Sequence, residues 1–207
     1  MENRVYAIIA WYKNHPNRHA LSYAEWLKLI EEVSRPEKTY KIGQKVTSWN
    51  KYDGGYSYKL VAPIGKEFHK DFKPVYTPAE MLKLGVFEGK YLNDDIYEFP
   101  KEWFTKAKIS LYRDPGLNYY SGVVARLPLS IWIEKGWIMT DKKGWFQWYC
   151  RYYLGRRLGE EDEIQIKRWK AYVRHLMQLI KNCRAGDLTC RRKQRQSLLQ
   201  WSHLHDI

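Results

Sequence analysis

The chain has 207 residues, of which 44% are hydrophobic and 29% charged; this is ample apolar material for a packed core and too much for a disordered tail. Its 36 Lys and Arg against 23 Asp and Glu leave a net charge of +13, which points toward a polyanionic partner and says little about fold. No window approaches the ~18 apolar residues needed to cross a bilayer, and no secretory signal is evident at the start, so no membrane partner is expected.

Three cysteines, Cys150, Cys183 and Cys190, are an odd number in a chain longer than disulfide-stapled secreted modules. Free thiols in a reducing compartment are expected, in the cytoplasm, nucleoid or nucleus. The charge is uneven: residues 142–201 carry +10 of the +13. The expected organisation is α+β: an N-terminal lobe over 1–75 with a helix and a hairpin, then a mainly helical module over 76–207 ending in a basic helical pair.

In chain order, Ser22 and Glu25 have capping-box spacing, predicting a helix from Tyr23 to Val33 that stops before Pro36. Val46–Tyr52 and Tyr56–Val61 flank Asp53-Gly54-Gly55 and predict a β-hairpin. Thr77-Pro78-Ala79-Glu80 is a second capping box with Pro at the first helical position, opening a short helix that Gly85 ends. Ser130–Lys135 predicts another short helix closed by Gly136, and Asp141 is a candidate cap for a helix from Gly144 to Leu154.

Residues 161–182 predict one two-faced helix, with Ile166, Trp169, Val173, Leu176 and Ile180 inward and Lys167, Lys170, Arg174 and Lys181 on the opposite side. The acids Glu160–Glu163 suit its N-terminal dipole. After a turn at Arg184–Asp187, a last helix over Cys190–Trp201 directs Arg191, Arg192, Arg195 and Gln196 outward. Two helices joined by a short Gly-containing turn are compatible with a helix-turn-helix docked in a major groove, where Arg pairs with guanine and Gln196 reads adenine. The plainer alternative is an αα-hairpin with a solvated charged face.

Six aromatics between Trp145 and Tyr153 are followed by Arg156 and Arg157, a composition that can stack on exposed bases while guanidinium groups hold the backbone. On a helix these rings face different ways, so most belong to the core. The outward candidates are those beside Arg151, Arg156 and Arg157.

The segment Gly85–Glu98 gathers Glu88, Lys90, Tyr91, Asn93, Asp94, Asp95 and Glu98. Lys90 as an amine nucleophile with Asp94 as its acid/base partner, or the acids around a divalent metal, would suit nucleic-acid processing; a polar loop of turns and caps is the plain alternative. A zinc site from Cys183, Cys190, His175, His203 and His205 matches no common spacing. No cofactor is expected, and a divalent metal only if the protein is an enzyme.

Gly85-Val-Phe-Glu-Gly-Lys-Tyr-Leu-Asn-Asp94, Gly136-Trp-Ile, Gly144–Arg157, Gln165–Trp169 and Asn182–Gln196 together resemble stretches of an uncharacterised family with members in bacteria, large DNA viruses and some eukaryotes. The resemblance spans about residues 76–201. It implies that this region is one module, and it supplies no activity or site.

These observations favour a nucleic-acid-binding protein, with DNA the expected polymer, working through residues 144–196. A nucleic-acid-processing enzyme with its site at 88–98 is the alternative, and an assembly protein using the aromatic run as a protein interface is a third.

Overall fold

The computed structural model describes residues 39–48, 50, 52–92, 98–110 and 112–207. The helix expected from Tyr23 to Val33 lies outside the described residues. Strands β1 (Lys45–Thr47) and β2 (Ser57–Lys59) pair antiparallel, with Val46 opposite Tyr58. They are shorter than expected because Asn50 reorganises the connection. Its Oδ1 accepts from the Tyr52 and Asp53 amides and its Nδ2 donates to Ser48 Oγ, local bonds that compete with a longer ladder.

Helix α1 (Pro78–Leu84) carries the full capping box, with Thr77 and Glu80 each satisfying the other's backbone N–H. Gly85 closes it at φ +108°, where an added Cβ would lie 2.1 Å from the Leu117 carbonyl oxygen. Helix α2 (Leu129–Glu134) follows after several loops, and α3 (Trp145–Leu154) begins at Gly144 with no side-chain cap. Asp141, expected to cap α3, is buried and bound by Arg151 and Arg156 instead.

The single helix expected over 161–182 is two helices, α4 (Glu160–Ala171) and α5 (Val173–Asn182). At the break the Tyr172 and His175 amides bond three residues back rather than four, the tightening typical of a helix junction. The Tyr172 ring is drawn inward, stacked 4.6 Å from Trp201. The apolar face changes there: Ile166 and Trp169 stay buried, but Val173 and Ile180 are exposed and Leu179 goes inside. Helix α6 (Arg192–Gln200) starts late because Arg191 is left-handed at φ +54°.

Cys183 and Cys190 form a disulfide across the turn between α5 and α6, correcting the expectation of free thiols; Cys150 is buried and takes no part in it. The turn holds the two Cα atoms 5.8 Å apart, within bridging range.

Helix α3 is the centre of the packing, with Trp148, Tyr149, Cys150 and Leu154 wholly enclosed. Phe72 inserts its ring edge against Trp148, Tyr149, Tyr152 and Trp169 at 5.0 to 5.6 Å, an arrangement worth ~0.5–1.5 kcal/mol per pair beyond area burial. Beside these rings sits a buried ion network. Arg151 bonds Glu98 through Nε (2.5 Å) and Nη2 (2.9 Å), and Asp141 (2.7 Å) and Asp53 (2.8 Å) through Nη1. Arg156 bonds Asp141 in turn. Burial alone would lower the Arg151 pKa; the bonds and charges of Glu98, Asp141 and Asp53 outweigh it and hold the pKa above the ordinary value.

Tyr40–Ile207 is one compact unit. Val61 and Ala62 N–H donate to Gly155 O, and Val75 N–H donates to Ser202 O. Among the described residues the architecture is α+β with a helical bulk and one small antiparallel sheet. Among the described residues no helix is long and apolar enough to cross a membrane.

Candidate functional site

A groove of about 720 Å³ opens between the segment at 87–91, the loop at 113–127, α2 and its following turn, and the α4–α6 side. Its lining includes Phe87, Tyr91, Trp132, Trp137, Trp145, Phe146, Tyr172 and Trp201, together with the cationic residues Lys90, Arg113, Arg126, Lys143, Arg168 and Arg174. No carboxylate is among its described lining residues.

One wall is a stack of parallel rings. Tyr172 lies 4.6 Å from Trp201, Trp201 lies 4.7 Å from Trp145, and Trp132 is offset at 6.1 Å. Arg168 sits among the indoles, its guanidinium carbon 5.0 Å from Trp132, 5.5 Å from Trp137 and 5.7 Å from Trp201. Its Nη1 donates to the Trp137 carbonyl and Gln165 Oε1, both at 3.1 Å, and no carboxylate among the described residues pairs with it. Burial lowers its pKa to about 10, because an incompletely solvated cation is destabilised unless an anion accompanies it.

Behind the groove, buried Glu88 holds two of the lining arginines. Its Oε2 accepts from Arg126 Nε at 2.6 Å and Arg113 Nη1 at 3.3 Å. Phe87 and Glu88 are consecutive non-glycine residues at φ +54° and +56°, a costly backbone that surrounding structure must impose. Three buried polar atoms here lack a hydrogen-bond partner: Glu88 Oε1, Trp145 Nε1 and Gln200 Nε2.

The groove unites two regions distinguished in the sequence. Lys90 lines one side, its Nζ 5.4 Å from the Tyr112 ring centroid, and Arg174 lines the other. Asp94, paired with Lys90 in the expected chemistry, lies outside the described residues.

The expected nucleic-acid contacts divide in two. Lys167, Lys170, Arg174, Lys181, Arg191 and Arg192 are exposed, with Lys170 bonded to Asp71 at 3.0 Å and Arg192 to the Ser121 carbonyl. Arg151, Arg156, Arg195 and Gln196 are buried and are not outward contacts, a correction with a specific cause for each. Arg151 and Arg156 are consumed by the ion network. Arg195 donates to the carbonyls of Cys190, His205, Ile207 and Asp187. Gln196 accepts from the Tyr120 amide and donates to Gly85 O. Arg157 turns back as well, bonding the carbonyls of Tyr152, Arg156, Lys66 and Glu67. The last helix therefore has no Gln196 free to read a base, and the helix-turn-helix docking loses its reader.

The aromatic run is mainly core, but Trp145 and Phe146 also border the groove. Sequence reasoning missed Arg113, Arg126, Trp132, Trp137 and Arg168. Their one sequence signal was that Arg126 and Trp132 stand in a segment, residues 121–133, without a single acid. Among the described residues no group of three or more His, Cys, Asp or Glu is placed to hold a metal ion, and the two candidate zinc thiols are bonded to each other. No protein-family model, curated protein or solved structure matches the chain.

Proposed function

We propose that this protein binds nucleic acid, with DNA the expected polymer, through the aromatic and cationic groove rather than through a recognition helix. The observation that carries the reading is the lining itself: four arginines and two lysines interleaved with indole and phenol rings, with no carboxylate among the described lining residues. Such a surface holds phosphates by charge and bases by stacking, at ~1–3 kcal/mol per stacked base. A single strand or an unstacked nucleotide presents both at once, whereas an intact duplex hides its base faces. The exposed Lys167, Lys181, Arg191 and Arg192 extend the positive field beyond the groove.

The test is fluorescence polarisation with labelled single-stranded and duplex DNA and with RNA, over a series of salt concentrations. About four phosphate contacts to a single strand give a slope of log affinity on log salt of about −3. Changing Arg113, Arg126 and Arg174 to Gln should weaken binding and reduce the slope by about 0.7 per lost contact. Wild-type affinity and slope in that triple variant would overturn the reading.

A second reading, a nucleic-acid-processing enzyme, is favoured by the position of Lys90 on the groove wall. Strand cleavage or base release in the same mixtures, lost in Lys90→Met, would establish it.

A further inference from the structure

We infer that the groove contains a subsite for a single nucleotide, its phosphate held by Arg168 within the Trp132, Trp137 and Trp201 cage and its base accepting hydrogen bonds from Trp145 and Gln200. This rests on the reading of the groove as a nucleic-acid site and adds what one unit of the ligand must offer.

Three independent observations converge. First, Arg168 uses only Nη1 in hydrogen bonds, to two neutral acceptors, so Nε and Nη2 remain as donors for an anion. A guanidinium surrounded by three indoles and given no carboxylate by the described residues is poorly compensated, and a phosphate supplies both the charge and the fork-shaped acceptor that Arg prefers. Second, Trp145 is 2% and Gln200 3% exposed. Each keeps a buried N–H donor, Nε1 and Nε2, without a partner, and both residues line the groove. Native proteins leave few buried donors unmade, so two on residues that line one groove call for a ligand with acceptor atoms that reaches past the groove wall. Third, the size fits one enclosed unit: about 720 Å³ lies within the range that surrounds a small molecule.

The two halves of the subsite adjoin one another. Arg168 and the Trp145 ring both border Trp201, at 5.7 and 4.7 Å from its ring centroid. A nucleotide is the ligand class that joins an anion to a flat ring with acceptor edges, and it can be free or turned out of a strand.

The deciding experiment uses the full chain and a labelled single-stranded oligonucleotide, with inorganic phosphate, a nucleoside, the nucleoside monophosphate and an oligonucleotide bearing one unpaired base as competitors. The subsite predicts that the monophosphate competes at least tenfold better than the nucleoside or phosphate alone, since it alone fills both halves. Arg168→Gln should weaken the monophosphate roughly tenfold or more through loss of a charge-assisted bond, and Trp145→Phe about three- to tenfold while leaving phosphate competition unchanged.

If the monophosphate competes no better than phosphate, the subsite is overturned. The broader reading then survives provided the labelled strand still binds and the Arg113, Arg126 and Arg174 changes weaken it. If monophosphates bind, as heard by direct calorimetric titration, while no polymer does, the subsite stands for free nucleotides and the polymer reading fails. Should Arg168→Gln fail to fold, the wild-type competition ranking and Trp145→Phe decide the matter.

Discussion

Arg151 illustrates how a basic residue can be removed from the surface by partners far away in the chain. Its carboxylates come from Asp53, Glu98 and Asp141, and the Tyr56 ring lies 4.9 Å from its guanidinium carbon. Burial alone would raise the pKa of Asp53; its bond to Arg151 and the Arg151 charge prevail and hold it below the ordinary carboxylate range. Replacing Arg151 with Met keeps most of the volume but leaves buried carboxylates uncompensated. We expect a loss of roughly 3–5 kcal/mol, read as a lower urea midpoint with near-native slope; a loss within 1 kcal/mol would mean that the network relaxes or hydrates. The same residue shows what a charge count cannot see. Glu98 and Asp53 lie 53 and 98 positions from Arg151, and nothing local distinguishes it from Lys167, which is exposed. Gln196 was read as a base contact for the same reason, since its acceptor, Gly85 O, is 111 residues away.

At the scale of elements, the parts whose signals are local were legible. Thr77, Pro78, Glu80 and Gly85 specify both ends of α1 within nine residues. The limits of the hairpin and the break at Tyr172 were not, because they depend on side chains from elsewhere or on a competing local bond: Trp201 draws in Tyr172, and Asn50 captures the β1–β2 connection. The junction after α3 depends on a single glycine. Gly155 adopts φ +113°, its carbonyl accepts from both the Val61 and Ala62 amides, and an added Cβ would stand 2.0 Å from the Ala62 carbonyl oxygen. Gly155→Ala must therefore move backbone against backbone, at a cost of at least ~2 kcal/mol. Thermal unfolding of this variant beside Gly43→Ala, whose position has open space and φ +89°, separates steric contact from backbone strain; equal losses would remove the steric explanation.

For the whole molecule, closure depends on residues 202–207 returning across distant elements. Ser202 binds Tyr76, His203 Nε2 approaches the Trp169 carbonyl at 3.0 Å, and the His205 backbone carbonyl accepts from Arg195 and Tyr120. His205 is enclosed among Tyr76, Tyr119 and Tyr120, with its Nδ1 2.9 Å from Tyr120 Oη. Burial lowers its pKa from 6.5 to about 4; Asp206 opposes the shift and Arg195 reinforces it. Between those values the unfolded chain binds the proton more readily than the folded chain, so stability rises with pH through the interval and is lost as pH falls through it. The full effect is at most about 3 kcal/mol, and His203, also held below its ordinary value by burial, adds in the same direction. His205→Gln should therefore show a flatter dependence of unfolding free energy on pH than the parent between pH 6.5 and about 4. An unchanged slope would place the acid sensitivity elsewhere. Because α6 carries Arg195 beneath these residues and Gln200 into the groove, acidification should also weaken ligand binding only where unfolding begins. Titrating the oligonucleotide and the unfolding transition over the same pH series would reveal any separate loss of affinity.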